Sequence, residues 1–298
     1  MSSVLKINNL TKKYGKLTAV NQLDLSIEQG QIYGILGPNG SGKTTTLGMI
    51  LDVVAPTHGS FEWFGGMNHV EARQKIGSIL ETPCFYSYLT ATQNLRIVAH
   101  IKNTDTARID DILKQVNLYE RRNDKFKTYS LGMKQRLSLA AALLSDPPVL
   151  MLDEPTNGLD PEGIAEVRQL IRDIAANGKT IIMASHLLDE VQKVCTNFCI
   201  LRKGVKLHEG SVHEILGETN VVDILADDLD QLSVEVEKFK GAEKVQKENG
   251  SIKVFLNEGQ SSAELNKYCF EQGITLKKLI PQSKSLEQEF LKILKEND

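Results

Sequence analysis

Apolar and polar positions follow two periods along this chain, and the first half alternates between them. Val4–Leu10 alternates weakly and Asn21–Ile27 more regularly, with Leu23, Leu25 and Ile27 on one face, and both read as strands. The stretch Thr11–Lys16 between them is polar, with a turn expected at Tyr14-Gly15. Ile32–Leu36 is a short apolar run that fits a buried strand, and Thr44–Leu51 can open a helix directly after it. A turn at Pro56–Gly59, a strand at Ser60–Phe64, a helix at Val70–Lys75 and a buried strand at Ile76–Leu80 follow. Ala91–Lys102 and Ala107–Val116 have helical spacing, with Thr106 as the expected cap of the second. Ser130 caps an expected helix over Leu131–Leu144. Pro148–Leu152 reads as a third buried strand. Ile164–Asn177 reads as a helix that stops at Gly178, with Pro161 suited to a first helical position. Thr180–Ser185 is the next buried strand. A hairpin, Asn197–Arg202 with Val205–Glu209, closes at Lys203-Gly204, and Ser211–Leu216 is a short helix.

Buried strands alternating with helices predict an α/β class for this part. After a linker at Gly217–Asn220 the character changes. Val221–Leu225 reads as strand, Leu229–Lys240 helix, Ala242–Lys247 strand, Ser251–Leu256 strand, Ser261–Gln272 helix, Ile274–Ile280 strand and Ser285–Lys295 helix. The order β-α-β-β-α-β is that of a small α+β, ferredoxin-like domain. The expected division is therefore 1–217 and 218–298, with a helical insertion at about 85–145.

Bulk properties narrow the function classes. A chain of 298 residues with 41% hydrophobic content can bury one large core and one small one. No apolar run approaches the ~20 residues of a membrane span, and the N-terminus has no secretory pattern. Net charge is −3 and no long basic tract occurs, which argues against a nucleic-acid partner. Cys84, Cys195, Cys199 and Cys269 have neither disulfide-framework nor metal-knuckle spacing, as expected of free thiols in a reducing cytosol.

The chemistry concentrates at strand ends. Gly37–Thr45 reads GPNGSGKTT, and Gly37, Gly42, Lys43 and Thr44 fill the template G-x-x-x-x-G-K-[ST]. In such a loop the backbone N–H groups of Asn39, Gly40, Ser41, Gly42 and their neighbours through Thr45 turn toward phosphate oxygens. Lys43 reaches the β- and γ-phosphates, and the Thr44 hydroxyl holds Mg²⁺. Asp153-Glu154 follows the strand Pro148–Leu152, with Asp153 suited to hold Mg²⁺ and Glu154 to polarise an attacking water. His186 follows another strand, and Glu81-Thr82-Pro83 follows Ile76–Leu80. Taken singly, Tyr14 reads as a surface tyrosine and Ser130 as a helix cap that binds nothing.

The phosphate loop, YSLGMKQR, LMLDEP, NGLDP and SH occur in this order, and through them the first 215 or so residues resemble the ATP-binding subunit of ABC transporters. The resemblance implies a P-loop NTPase fold with a mixed sheet core, an antiparallel β subdomain and a helical subdomain. It also implies ATP and Mg²⁺ as cofactors, an ATP-bound homodimer or paired subunit, and a separate integral-membrane permease. Each ATP would be held between the phosphate loop of one copy and the signature of the other, here Ser130-Leu131-Gly132-Met133. Leu131 and Met133 depart from the commonest signature, whereas Ser130 and Gly132, the expected γ-phosphate contacts, remain. The resemblance makes Tyr14 an adenine-stacking aromatic, places Asp160 at the dimer seam, and gives His186 a hydrogen bond to the γ-phosphate. It puts Glu81 where the family places a glutamine beside Mg²⁺. That glutamate, YSLGMKQR and the tail resemble the bacitracin-resistance and lantibiotic-immunity exporters. The aromatic run Phe85, Tyr86, Tyr88 is the expected permease groove, and the location implied is cytoplasmic, peripheral on the inner face of the membrane. The alternatives are a soluble ABC-type ATPase of translation or DNA repair, and an importer subunit. A nucleotide kinase would share the loop without needing the signature or the acidic pair.

Overall fold

β1 (Ser3–Tyr14) and β2 (Leu17–Glu28) form a long hairpin, closed by two residues with Gly15 at φ 58°. The polar stretch Thr11–Tyr14 is strand to its end: Tyr14 pairs with Leu17, so the turn expected at Tyr14-Gly15 falls one residue later, on Gly15-Lys16. Ladder hydrogen bonds satisfy the backbone whatever the side chains are, so tertiary pairing overrides the local polar signal. Tyr14 thus ends a strand, its ring 49% exposed and Lys12 Nζ 4.9 Å from the ring centroid.

β3 (Ile32–Leu36), α1 (Lys43–Ile50), β4 (His58–Trp63), α2 (His69–Gln74) and β5 (Ile76–Ile79) follow. The computed structural model describes residues 3–80, 84–216, 218–248, 250–257, 259–283 and 286–296. It divides into two units, Met1–Val212 with Ile293–Asp298, and His213–Lys292.

The helical block holds α3 (Ala91–Lys102), α4 (Ile109–Gln115) and α5 (Leu131–Leu143). Thr106 does not cap a helix there; it opens a 3₁₀ turn at Thr106–Arg108, and Asp105 accepts from Ala107 N at 2.8 Å. A carboxylate one position earlier is the stronger acceptor for those free N–H groups. Lys102 is drawn onto the block, donating to the Ala141 carbonyl at 3.2 Å, and burial lowers its ammonium pKa.

β6 (Val149–Asp153), α6 (Pro161–Ala176), β7 (Thr180–Ser185), α7 (Leu188–Val194), β8 (Asn197–Arg202) and β9 (Val205–Ser211) complete the first unit. α6 starts at Pro161, ahead of the apolar period, because Asp160 caps it through Gly163 N at 2.9 Å. Pattern reading misses α7, which carries charges in its first turn and spans only two turns.

Two sheets result. β2-β1-β4 is antiparallel, and β5-β6-β7-β3-β8-β9 is parallel except for β9. β3, β6 and β7 are buried along their whole length, as expected of central parallel strands covered on both faces. Leu5, Ile7, Leu23 and Ile27 of the hairpin share one core with Leu47, Met49, Trp63, Met151 and Ile182. The Trp63 indole donates to the Ile50 carbonyl at 2.8 Å, so the largest core side chain leaves no polar atom stranded.

After α8 (Val212–Ile215), the second unit contains β10 (Glu218–Ala226), α9 (Leu229–Val236), β11 (Ala242–Glu248), β12 (Ser251–Leu256), α10 (Ser262–Glu271) and β13 (Leu276–Ser283). α11 (Leu286–Glu296) follows. β10 takes in Glu218–Asn220, expected as linker. The sheet order β11-β12-β10-β13, all antiparallel, is ferredoxin-like. Ile224, Ile252 and Val254 meet Leu232, Val236 and Leu265 in its core. α10 begins in a capping box, with Ser261 and Glu264 satisfying each other's backbone N–H.

On this sheet Lys278 donates to Asp223 Oδ2 at 2.6 Å, and that hydrogen bond, helped by Ser251, holds the Asp223 carboxyl below its usual pKa. A depressed carboxylate stabilises the fold above its unfolded value, near 4, and that contribution disappears as pH falls through the folded value. Asp223→Asn should therefore lower the melting temperature at pH 7, and by progressively less as pH is taken below about 4. Equal shifts across that range would show that the pair contributes no pH-linked stability.

Candidate functional site

Three adjacent strands of the parallel sheet, β6-β7-β3, end on one edge, and each carries a predicted site residue just past its end. Leu36 lies opposite Ser185 and Asp153 opposite Ala184 in the ladder. The register therefore brings together residues far apart in sequence: the loop after β3, Asp153-Glu154 after β6, and His186 after β7. Ligands of open α/β sheets bind at this carboxyl edge.

The loop after β3 is fixed by backbone contacts. Gly37 N donates to the Ser185 carbonyl at 3.2 Å, and Gly204 N donates to the Ser41 carbonyl at 3.0 Å. A Cβ at Gly37 would lie 2.3 Å from the Leu201 carbonyl oxygen and 2.5 Å from Ser41 Oγ. Gly42 stands at φ 106°, where a Cβ would lie 2.4 Å from the Ala19 carbonyl oxygen. Both glycines are required by close approach, and Gly42 also by its conformation. α1 starts at once, so its free N–H groups and dipole face the same edge.

Lys43 is 5% exposed and its ammonium is fully engaged. It donates to the Gly37 carbonyl at 2.8 Å and the Pro38 carbonyl at 3.3 Å, and pairs with Glu154 Oε1 at 3.3 Å. Glu154 Oε2 lies 2.7 Å from His186 Nδ1. One carboxylate thus bridges the phosphate-loop lysine and the histidine. Glu154 adopts φ 48°, a left-handed conformation that costs a non-glycine residue about 1–2 kcal/mol, and its N–H is held by the Ala184 carbonyl at 3.0 Å. Strain of this kind persists where surrounding structure holds it, and it gathers at functional positions. Asp153, 5% exposed at the end of β6, and the exposed Thr44 supply hard oxygen donors. Among the described residues no group of three or more His, Cys, Asp or Glu forms a metal cage. Two oxygen donors suit Mg²⁺, which is bound through few protein ligands with water and phosphate completing its shell.

A cleft of about 540 Å³ opens over this edge. Tyr14, Asn39, Gly40, Gly42, Lys43, Thr44, Thr45 and Glu154 line it, so the predicted aromatic and the phosphate loop share one wall system. Lys203, also on the lining, is absent from the sequence expectation. Its place in a Lys-Gly hairpin closure hid it, since backbone hydrogen bonds of Gly204 to Ser41 and Asn21 bring that turn to the loop. Ser41 is predicted but buried beneath the cleft, 2% exposed.

Ser130, Gly132 and Asp160 do not join this cleft. They line a second one, of about 420 Å³, with Leu131, Arg136 and Glu166 among others. The two linings share no residue. Ser130 Oγ accepts from Met133 N at 3.2 Å, capping α5, and Leu131 stands 46% exposed beside it. Arg136, which faces Glu166 across 3.7 Å, was not expected at this site. Glu81, expected at the metal, lies outside the described residues, as do Thr82 and Pro83. Of the aromatic run, Phe85 packs edge-on against Phe126 with centroids 5.2 Å apart, whereas Tyr86 and Tyr88 are exposed. Cys195 and Cys199 are buried, and burial pushes the Cys199 thiol up to about 12. Among the described residues no helix is long and apolar enough to cross a membrane.

Comparison with known proteins is consistent with this geometry. The ABC transporter family matches residues 20–157. The bacitracin transport ATP-binding protein BcrA of Bacillus licheniformis is 40% identical, over 99% of this chain and 98% of its own length. The lantibiotic transport ATP-binding protein SrtF of Streptococcus pyogenes is 41% identical, over 63% of this chain and 82% of its own length. Among solved structures, cbiO1 of Clostridium perfringens, part of the ABC transporter complex cbiONQ, has a TM-score of 0.66 at 27% identity. It aligns over 72% of this chain and 91% of its own. The ATP-binding cassette MJ0796, solved as a dimer in a post-hydrolysis state with ADP and Pi, has a TM-score of 0.62 at 27% identity. That alignment covers 70% of this chain and 98% of that one.

The glycine contacts yield a paired expectation. Gly37→Ala should weaken ATP binding at least tenfold, about 1.4 kcal/mol, because the loop must move to admit the methyl group. Gly178→Ala, at φ 84° with nothing within 4 Å, should cost about 1 kcal/mol of stability and leave ATP binding intact. Titration calorimetry of both variants checks this; unchanged binding in Gly37→Ala would show that the loop does not need that close approach.

Proposed function

The chain belongs to the ABC transporter family as an ATP-binding, ATP-hydrolysing subunit, and we propose that it drives export of a peptide antibiotic through a separate membrane permease. The cargo reading rests on the names of its relatives, which transport bacitracin and lantibiotics. The separation of two clefts supports a two-copy mechanism: one holds the phosphate-loop half of a nucleotide site, the other the Ser130-Gly132 half. In a head-to-tail dimer each ATP lies between one copy's loop and its mate's α5 N-terminus. MJ0796, solved as a dimer, is a precedent for two copies of a cassette pairing.

Each residue then has a role. Tyr14 stacks on the base, and the loop N–H groups from Asn39 to Thr45 hold the phosphates. The Thr44 hydroxyl and Asp153 carboxylate hold Mg²⁺, which supplies charge neutralisation at the phosphates when bound. Lys43 leaves the Gly37 and Pro38 carbonyls for phosphate oxygens, which frees Glu154 Oε1. Glu154 polarises the attacking water, and His186, already at its other oxygen, orients that carboxylate and reaches the terminal phosphate. Ser130 and Gly132 of the mate donate to the same phosphate, and Asp160 lies at the seam. By the same resemblance Glu81 is assigned to the metal. Tyr86 and Tyr88, exposed and set edge-to-face with centroids 5.9 Å apart, support a permease-docking surface; docked there, the chain would lie peripherally at the inner membrane face.

Glu154→Gln keeps the side chain's size and removes its basicity. Its turnover should fall by about 10²–10⁴-fold while ATP stays bound. Steady-state hydrolysis at the unmodified rate would place the base elsewhere. Glu81→Gln should leave ATP affinity nearly unchanged and shift the Mg²⁺ dependence of hydrolysis; superimposable Mg²⁺ titrations would remove Glu81 from the metal.

A further inference from the structure

α7 carries a glutamate that the mechanism above does not use. Glu190 is 0% exposed, and its Oε1 has no hydrogen-bond partner. Burial pushes its carboxyl above the ordinary glutamate range. Arg168, whose charge opposes that shift, donates its guanidinium to Asp189 Oδ2 at 2.6 Å. A carboxyl in such a place is costly, and an apolar side chain of similar size would fill the space without stranding an oxygen.

Its other oxygen shows what the carboxyl does. Ser185 Oγ donates to Glu190 Oε2 at 2.8 Å and accepts from Leu187 N at 3.0 Å. The Ser185 carbonyl receives Gly37 N at 3.2 Å. Ser185 is thus tied to the first residue of the phosphate loop by its backbone and to α7 by its hydroxyl. His186 lies between the two tied residues, with its N–H 3.4 Å and its Nδ1 2.7 Å from Glu154 Oε2. The β7–α7 turn is therefore fixed on both sides of the histidine, and the buried carboxylate is the far anchor.

We propose that Glu190 is a positioning residue for ATP hydrolysis, holding Ser185 so that His186 is aimed at Glu154 and the terminal phosphate. The inference rests on the role given to His186 above. It predicts a defect in turnover and not in binding, because neither Glu190 nor Ser185 Oγ lines the nucleotide cleft. It also predicts that the defect vanishes where there is no histidine to aim.

The test is a set of variants of the full chain, read by ATP affinity and by turnover. Ser185→Ala deletes the link by a single oxygen with little risk to folding. It should lower kcat about tenfold with ATP affinity unchanged within about twofold. Glu190→Ala should do the same or more, and Glu190→Gln, which keeps an acceptor for the hydroxyl, should recover kcat to within about threefold of the unmodified chain. In a His186→Ala background, adding Ser185→Ala should cost less than a further twofold. Unmodified kcat in Ser185→Ala, or losses that multiply with those of His186→Ala, would overturn the inference while leaving the histidine's role standing. A fully active His186→Ala would instead overturn that role, and the inference with it.

Discussion

The contact on which the site depends is the 3.3 Å pair between Lys43 and Glu154. It joins the phosphate loop after β3 to the acidic pair after β6, across the strand that carries His186. In this structure the lysine's donors are spent on two carbonyls and one carboxylate, all within the protein. A phosphate entering the loop must compete for that ammonium, and by winning it uncouples Glu154 from the loop. On the proposed mechanism, binding of the substrate and release of the base are one electrostatic event. The pair is nearly dry on the lysine side, so its breaking needs a negative charge at least as good as the carboxylate, which a polyphosphate provides.

The fold makes that event local and its consequences distant. Parallel strands with fixed register bring Gly37, Asp153, Glu154 and His186 to one edge, and helices covering both faces keep that edge rigid. The signature half of the chemistry, Ser130 and Gly132, sits on the separate helical block beside Asp160. A chain whose two half-sites line different clefts completes neither alone. In the proposed dimer, pairing two copies completes both.

Much of this was legible in the sequence, for identifiable reasons. The strand β3, the helix α3 and the strands β7, β8 and β12 announce themselves by unmixed apolar runs or clean periods, and the site residues by position just past strand ends. The motif order supplied the roles that spacing alone left open for Tyr14, Ser130 and His186. What was hidden depended on pairing and on short range. The polar end of β1 is strand only because β2 lies beside it. Asp105 outcompetes Thr106 as a cap by one residue. α7 is too short for its period to register, and with it went Glu190, which reads as a surface charge until burial is known. Lys203 joins the cleft through backbone hydrogen bonds that its neighbour Gly204 makes to Ser41 and Asn21.

The central claim is that a single copy cannot turn ATP over. ATP turnover per chain, measured over a wide dilution series with sedimentation in parallel, tests it most directly. The account predicts that turnover per chain rises with protein concentration and levels off as an ATP-dependent dimer forms. Constant turnover per chain across the series, with the protein monomeric throughout, would contradict it.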